Sequence, residues 1–353
     1  MLRLLVGHLL LLAAVLLPGT AMTQPAPARI VAIGDLHGDH DAWRAIAQAA
    51  KLIDGRGHWS GGNVTLVQMG DVVDRGPDSL KIIRDLQRLQ REALRRGGKV
   101  IALLGNHEAM MMTGDLRYVH AGEFAAFADK DSKARRERFY EANKPAFEAA
   151  YRMRDPNLSP AQIKEDWMKG VPLGMLEHQA AWGPDGELGK WAAGNPAVAK
   201  VGSSLFVHGG ISAAFAGLPI EDINRQAAAA LKAQDKAKTA IINHPQGPLW
   251  YRGLISRGGG DEATQAPIPA GSAAPLTIAQ EIELALKNYG VKRMIIAHTP
   301  NPPGIISGEG GKLWRIDSGN SRAYNGTPSY LEIVGDKVTA YKVQRPAGPA
   351  WGS

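Results

Sequence analysis

The chain has 353 residues, a formal net charge of +7 at pH 7 and no cysteine. The lack of cysteine excludes disulfides, thiolate metal ligands and a cysteine nucleophile, so a metal site in this chain must use oxygen and nitrogen donors. The positive charge favours anionic substrates through long-range steering, without identifying one.

The first 21 residues have the three regions of a secretory signal. Arg3 supplies the positive charge, residues 4–17 form an apolar run, and small residues precede Ala21. We predict cleavage after about Ala21 and export to the periplasm or the medium. The apolar run is shorter than the roughly 20 residues that span a bilayer, so a membrane anchor is the less favoured alternative. Residues 22–28 then form a linker.

Five apolar runs predict strands, and each leads into a side chain that can bind a metal. The runs cover residues 29–33, 64–69, 100–104, 204–207 and 293–297. Because the carboxyl ends of strands in an open α/β sheet meet at one crevice, we expect the side chains that follow them to converge. The donors that follow these runs are Asp35, His37, Asp71, Asn106, His208 and His298.

Helices are predicted between the first three strands. Residues 39–51 follow His37, with Asp39 or Asp41 as the N-cap, and residues 79–96 follow the Asp71 motif. A metal pair of His37 and His40 is a possible alternative, but a residue that begins a helix should point away from the strand end. The alternation of strand and helix predicts a largely parallel core with right-handed crossovers.

The middle of the chain differs from both ends. Residues 110–199 contain no ligand motif and are rich in helix formers, methionine and aromatic residues, which predicts an inserted helical cap. Its apolar side chains either line a substrate groove or, as the favoured interpretation, form the interior of the cap.

The last part of the chain predicts two more helices and three more strands. The helices cover residues 221–234 and 278–289, and a flexible surface loop covers residues 258–275. The runs at 313–316, 330–334 and 337–342 are predicted to be strands of a second sheet, with Asp317 in a turn between two of them.

Six donors are too many for one reactive ion, since they would saturate it and leave no position for water. We therefore predict two divalent ions, manganese, iron or zinc, with Asp71 as the central bridging carboxylate. A pair of ions about 3.5 to 4 Å apart can clamp a phosphoryl group during in-line displacement. The donor set thus predicts hydrolysis of a phosphate ester.

Two motifs extend this pattern beyond the metal donors. Asp74-Arg75-Gly76 and Asn106-His107-Glu108, followed by His208-Gly209-Gly210, resemble the phosphoprotein phosphatase family of calcineurin-like metallophosphoesterases, from about residue 29 to about residue 330. The segments 114–119 and 248–253 resemble its Shewanella-like branch. The resemblance implies an α/β fold of two packed mixed β-sheets flanked by helices, in a catalytic domain at 29–345 that includes the cap.

The resemblance also implies roles for individual residues. A hydroxide bridging the ions would attack phosphorus directly, and His107 would protonate the leaving oxygen. Asp74 would hydrogen-bond His107 and favour its protonated form. Arg75 and Arg252, with Asn106, would bind the phosphate oxygens. The role of Glu108 is left open between support of the ligands and packing.

Three functions remain in competition. The leading one is a phosphatase acting on phosphoproteins, with a preference for phosphotyrosine. The alternatives are a hydrolase of nucleotides or dinucleoside polyphosphates, and an inactive exported phosphate-binding protein. Nucleic acid is not expected as a partner, because the basic run at 133–138 lacks interleaved aromatic residues and is typical of a solvated helix face. A stable membrane anchor is not expected either, because the apolar run at 4–17 is too short.

Overall fold

The computed structural model describes residues 28–257, 276–348 and 351. The predicted signal, nearly all of the linker and the predicted loop at 258–275 lie outside these residues. Within the described part of the chain, no helix combines the length and apolar character that crossing a membrane requires.

In the described residues, ten strands form two mixed sheets, which confirms the predicted fold class. The first sheet has the order β10 (Lys337–Lys342), β9 (Ser329–Val334), β1 (Arg29–Ile33), β2 (Thr65–Gln68) and β3 (Lys99–Ala102). The second has the order β4 (Val198–Val201), β5 (Ser204–Val207), β6 (Arg293–Ile296), β8 (Leu313–Arg315) and β7 (Ile306–Gly308). In the first sheet β1, β2 and β3 are parallel, whereas β9 pairs with β1 in the antiparallel sense.

The position of the last two strands corrects the sequence prediction. β9 and β10 do not join the second sheet, because Ile30 of β1 pairs with Ile333 of β9 and Ala32 pairs with Leu331. The apolar runs identified both strands, but a strand's partner depends on contacts with distant residues that local composition does not contain. The short exposed strand β7, and strand β4, which pairs with β5, were not predicted.

The two sheets pack face to face around one of two apolar layers. This layer takes side chains from both sheets, among them Ile30, Val67, Phe206 and Ile295. The alternate residues of the same strands, such as Val31, belong to a second layer beneath the helices. The central strands β1, β2, β5 and β6 are buried on both faces, which explains why their sequences are continuous apolar runs.

The sheets are flanked by α1 (His40–Ala49), α2 (Ser79–Leu94), α9 (Ile220–Lys232) and α10 (Ile278–Tyr289). Asp39 caps α1, since its Oδ1 accepts a hydrogen bond from the Ala42 N–H at 3.0 Å. His40 points toward α2, where its Nε2 lies 3.0 Å from Asp85 Oδ2. His40 is therefore engaged away from the strand ends.

Six helices lie between β3 and β4, where the cap was predicted. They are α3 (Asn106–Thr113), α4 (Ala121–Ala125), α5 (Ser132–Arg152), α6 (Pro160–Gly170), α7 (Met175–Trp182) and α8 (Glu187–Gly194). The aromatic residues of α5 and α6 contact one another, with ring centroids of Tyr140 and Phe147 at 5.2 and 5.1 Å from that of Trp167. These aromatic residues thus form the interior of a helical hairpin. The boundaries of the catalytic domain stay a prediction.

Candidate metal centre

The six predicted donors come together at the carboxyl ends of the strands. Each is almost completely buried, with between 0 and 6% of its surface exposed. Asp35 and His37 follow β1, Asp71 follows β2, His208 follows β5 and His298 follows β6. The parallel strands therefore deliver these side chains to one edge of the two sheets, as the sequence predicted.

Asp71 lies at the centre of this cluster. Its Oδ2 is 3.2 Å from His208 Nε2 and 3.8 Å from the Nε2 atoms of both His37 and His107. Burial alone would raise the pKa of Asp71, but the neighbouring imidazoles, His208 first, hold it well below its usual range. Asp71 is therefore a carboxylate anion surrounded by ring nitrogens.

Hydrogen bonds on the far side of two rings determine which nitrogen faces the cluster. His37 Nδ1 donates to the Val73 carbonyl at 2.9 Å, and His208 Nδ1 donates to the Met69 carbonyl at 2.8 Å. In each ring Nδ1 is therefore engaged by a backbone carbonyl, and Nε2 is the nitrogen that faces Asp71. This arrangement is the usual one for histidine ligands of metals.

Two groups of three side chains that could hold a metal ion share Asp71. The ligand atoms of Asp71, His208 and His298 lie within 4.8 Å of one another, as do those of His37, Asp71 and His107. His298 Nε2 is buried and has no hydrogen-bond partner in the described structure. An unpaired buried nitrogen is costly unless a ligand satisfies it, and a divalent cation fits this set of carboxylates and imidazoles.

Asn106 and His107 begin helix α3, a helix that the sequence analysis did not predict. Asn106 Oδ1 lies 3.1 Å from His208 Nε2, and the His107 backbone N–H donates to Asp71 Oδ1 at 2.9 Å. The positive end of the helix thus contributes to binding the central carboxylate. Gly105 precedes the helix because a Cβ at that position would collide with the Asp71 carboxylate.

His107 is paired with a second carboxylate. Its Nδ1 donates to Asp74 Oδ2 at 2.5 Å, which leaves Nε2 directed at Asp71. Burial opposes protonation of this ring, but the charges of Asp71 and Asp74 outweigh it and raise the pKa of His107. The ring is therefore suited to carrying a proton at the edge of the cluster.

The side chain of Glu108 binds the backbone of the ligand loops. Its carboxylate accepts hydrogen bonds from three N–H groups, those of Asp71, Val72 and Gly105, at 2.8 to 2.9 Å. It therefore joins the loop after β2 to the start of α3. The question that the sequence left open is answered in favour of support for the ligand loops.

The predicted phosphate-binding arginines have different neighbours. Arg75 is half-buried, and its guanidinium carbon lies 4.5 Å from the centre of the Tyr118 ring and 5.1 Å from that of Tyr324. Arg252 is also half-buried, and after burial and His208 its charge contributes to lowering the pKa of His298. Both cations are therefore close enough to influence the cluster.

Backbone strain is concentrated in the same loops. Positive φ angles, which residues other than glycine rarely adopt, occur in five residues of the predicted site. They are His37 (41°), Asp71 (52°), Asp74 (70°), Arg75 (63°) and His298 (69°). Such conformations persist only where surrounding contacts impose them, as the hydrogen bonds of Glu108 do for Asp71.

The sequence analysis predicted a turn at Asp317 but assigned no functional residue to the loop at 317–324, which follows β8. Asp317 is buried beside Asp35, and Asn320 donates to the Asp35 carbonyl at 3.1 Å. Burial, then the charges of Asp317 and Asp71, raise the pKa of Asp35. Asp317 follows an apolar run as Asp35 does, a signal that could have identified it. Tyr324, whose ring centroid lies 5.2 Å from that of His37, had no such signal.

Comparisons with known proteins agree with this geometry. The calcineurin-like phosphoesterase family model matches residues 28–302. Shewanella-like protein phosphatase 2 of Arabidopsis thaliana is 36% identical over 88% of this chain and 76% of its own length. Shewanella-like protein phosphatase 1 of Plasmodium berghei is 27% identical over 89% of this chain and 74% of its own length.

A solved structure shares the fold. The cold-active protein-tyrosine phosphatase of a psychrophilic Shewanella species superposes with a TM-score of 0.61 and 23% identity, over 90% of this chain and 81% of that protein. The chain therefore belongs to the calcineurin-like phosphoesterase family and, within it, to the Shewanella-like protein phosphatases, which makes it a metal-dependent phosphatase.

Proposed function

We propose that the chain hydrolyses phosphate monoesters on proteins with two divalent ions, held by Asp35, His37, Asp71, Asn106, His208 and His298. The observation that carries this proposal is the set of three imidazole Nε2 atoms within 3.8 Å of one Asp71 oxygen. When bound, the ions would activate water as the nucleophile and offset the charge of the phosphoryl oxygens. Manganese, iron and zinc all suit this donor set.

In this proposal His107 donates the proton that the leaving oxygen needs. The Asp74 carboxylate orients the ring and stabilises its charged form, while Nε2 stays free on the side of Asp71. Arg75 and Arg252 bind the non-bridging phosphate oxygens, because planar guanidinium groups match their geometry.

The proposed substrate is a phosphoprotein, with phosphotyrosine preferred. The names of the Arabidopsis and Plasmodium relatives support protein substrates. The preference for phosphotyrosine takes its support from Tyr118, an aromatic residue that lies beside Arg75 and is 38% exposed.

A metal-reconstitution assay tests the proposal. Metal-stripped protein is titrated with manganese, iron or zinc and assayed on peptides carrying phosphotyrosine, phosphoserine or phosphothreonine, with the stripped protein as control. We expect turnover to rise until two ions per chain are bound and to be fastest on phosphotyrosine. Saturation at one ion would contradict the binuclear centre, equal rates would contradict the preference, and no turnover at full loading would contradict the function.

We also propose that the chain is exported, on the signal-like pattern of its first 21 residues. Cell fractionation with mass spectrometry of the amino terminus tests this. Mature protein beginning near residue 22 outside the cytoplasm is expected, and an intact amino terminus in the cytoplasm would refute it.

A further inference from the structure

Arg75 is held differently from Arg322, a buried arginine in the loop after β8. Arg322 is anchored by carboxylates, since its Nη1 lies 2.9 Å from Asp39 Oδ1 and its Nη2 lies 3.1 Å from Asp41 Oδ2. Arg75 Nε is buried but has no hydrogen-bond partner among the described residues. What surrounds the Arg75 guanidinium instead is a pair of aromatic rings, those of Tyr118 and Tyr324.

This difference has a physical reason if Arg75 binds phosphate. A carboxylate partner would hold the guanidinium, but it would occupy the N–H groups and compete with a phosphate for them. An aromatic face attracts the cation through its quadrupole and leaves the N–H groups at the edge of the guanidinium plane available. Rings can therefore position an arginine without consuming its donors.

Both tyrosines are themselves held in place. The Tyr118 carbonyl accepts a hydrogen bond from the Arg75 backbone N–H at 2.8 Å, so this residue contacts Arg75 through both main chain and side chain. Tyr324 lies in a turn whose carbonyls, those of Gly319 and Gly326, accept hydrogen bonds from Arg345 at 3.2 and 2.7 Å. The rings are thus presented from two separate segments, one after α3 and one after β8.

Each ring also contacts a histidine of the centre. The Tyr324 ring centroid lies 5.2 Å from that of His37, and the Tyr118 ring centroid lies 5.3 Å from that of His107. The rings therefore place the guanidinium beside the metal centre, where a phosphate would lie.

We propose that Tyr118 and Tyr324 are positioning residues that clamp the Arg75 guanidinium between their rings and keep its N–H donors available for phosphate. The inference rests on the proposed function for the identity of the ligand. It assigns a role to one residue outside the segment that the family model matches, since Tyr324 follows residue 302.

The test compares leucine and phenylalanine at both positions. Leucine keeps apolar bulk without a π face, whereas phenylalanine keeps the face and removes only the hydroxyl. Calorimetry on metal-loaded protein measures the Kd of inorganic phosphate, and KM and kcat on a phosphopeptide are measured in parallel. Tyr118→Leu and Tyr324→Leu should each weaken phosphate binding by about 3- to 30-fold, while both phenylalanine variants should bind as the parent does.

A double-mutant cycle with Arg75→Met separates this role from a merely structural one. If the rings act through the guanidinium, the leucine substitutions should cause no further loss of phosphate affinity in the Arg75→Met protein. An equal loss in both backgrounds would overturn the proposal, and so would a loss of metal in Tyr324→Leu, because its ring would then act on His37. Tyr341→Leu is the remote control, since that ring stacks on Tyr330 in the β9–β10 hairpin.

The calorimetric measurement keeps this inference distinct from the proposed function. A protein that binds phosphate through Arg75 and the two rings but hydrolyses no phosphopeptide would refute the function and support the clamp. If the protein hydrolyses phosphopeptides but its leucine variants bind phosphate as the parent does, the function is supported and the clamp is refuted.

Discussion

The metal centre and the α5–α6 hairpin are built in opposite ways. At the centre, the six proposed donors are buried, and backbone carbonyls fix the rings of His37 and His208. In α5, which has 21 residues, only Ser132 and Tyr140 are buried. The interior of the hairpin consists of a few aromatic rings, and exposed ion pairs such as those of Lys164 with Glu137 and Glu141 lie on its surface.

This difference indicates where the molecule tolerates change. A buried charge without its partner costs several kcal/mol, so each side chain at the centre depends on all the others. An exposed ion pair is screened by water and salt and is worth little. We therefore expect substitutions at the centre to affect metals and chemistry, and substitutions in the hairpin to affect local order alone.

The largest effect is expected for Asp71→Asn. Removing the charge shared by three imidazoles should cost both ions, with a loss of metal affinity beyond the roughly 10- to 100-fold typical of losing an outer partner of a ligand. Elemental analysis of the purified protein measures it, with the exposed Asp336→Asn as control. Retention of two ions at the parent's affinity would show that Asp71 does not bridge them.

His107→Asn should affect chemistry without affecting metal content. A general acid is worth about 100- to 10,000-fold when the leaving group is a basic alkoxide, and far less for a nitrophenolate, which departs unaided. Turnover of an alkyl phosphate and of an activated aryl phosphate should therefore diverge. Equal losses on both esters with metals intact would indicate that His107 stabilises the phosphoryl group instead.

Glu108→Gln tests whether the loop contacts matter as much as the ligands. A glutamine amide presents N–H groups where the structure needs acceptors, so at least one of three backbone N–H groups would lose its partner. We expect metal affinity to fall by about 10- to 100-fold, as for other groups that hold ligands in place. Unchanged affinity in a folded protein would confine Glu108 to packing.

The smallest effect on catalysis is expected in the hairpin. Trp167→Ala removes the ring that contacts Tyr140 and Phe147 and should destabilise the hairpin locally by about 3 to 5 kcal/mol. Hydrogen exchange should rise in α5 and α6, while turnover of a small aryl phosphate stays at the parent's rate. Lys164→Met is the matched control and should change neither. A loss of aryl phosphatase activity would show that the hairpin supports the centre.

The sequence predicted the positions of the candidate donors better than those of the residues around them, for a physical reason. The side chains after β1, β2, β5 and β6 lie at one edge as predicted, because these strands are buried on both faces, have continuous apolar sequences and end together. The helix that begins at Asn106 was not predicted, because its start depends on Gly105, whose closeness to Asp71 is a tertiary contact. Asp317 and Tyr324 meet the first loop only through long-range folding, which local patterns do not contain.

The same limitation explains the wrong sheet for the last hairpin. β9 and β10 have the alternation of strands, but their place beside β1 follows from the pairing of residues at the two ends of the chain. Composition is enough to predict that the inserted region is helical. Its division into six helices depends on the capping residues and turns at the end of each helix.

The place of β9 beside β1 has a consequence for biosynthesis. β1 leaves the ribosome first, yet one of its two edges stays unpaired until residues 329–334 have been made. An apolar strand with an open edge is prone to pair with other chains, so the nascent protein should need protection by chaperones. The ion pair of Asp39 with Arg322 likewise forms only after the later residue has been synthesised. A translation product that stops short of β9 would therefore carry every motif of the metal centre and still lack an assembled first sheet.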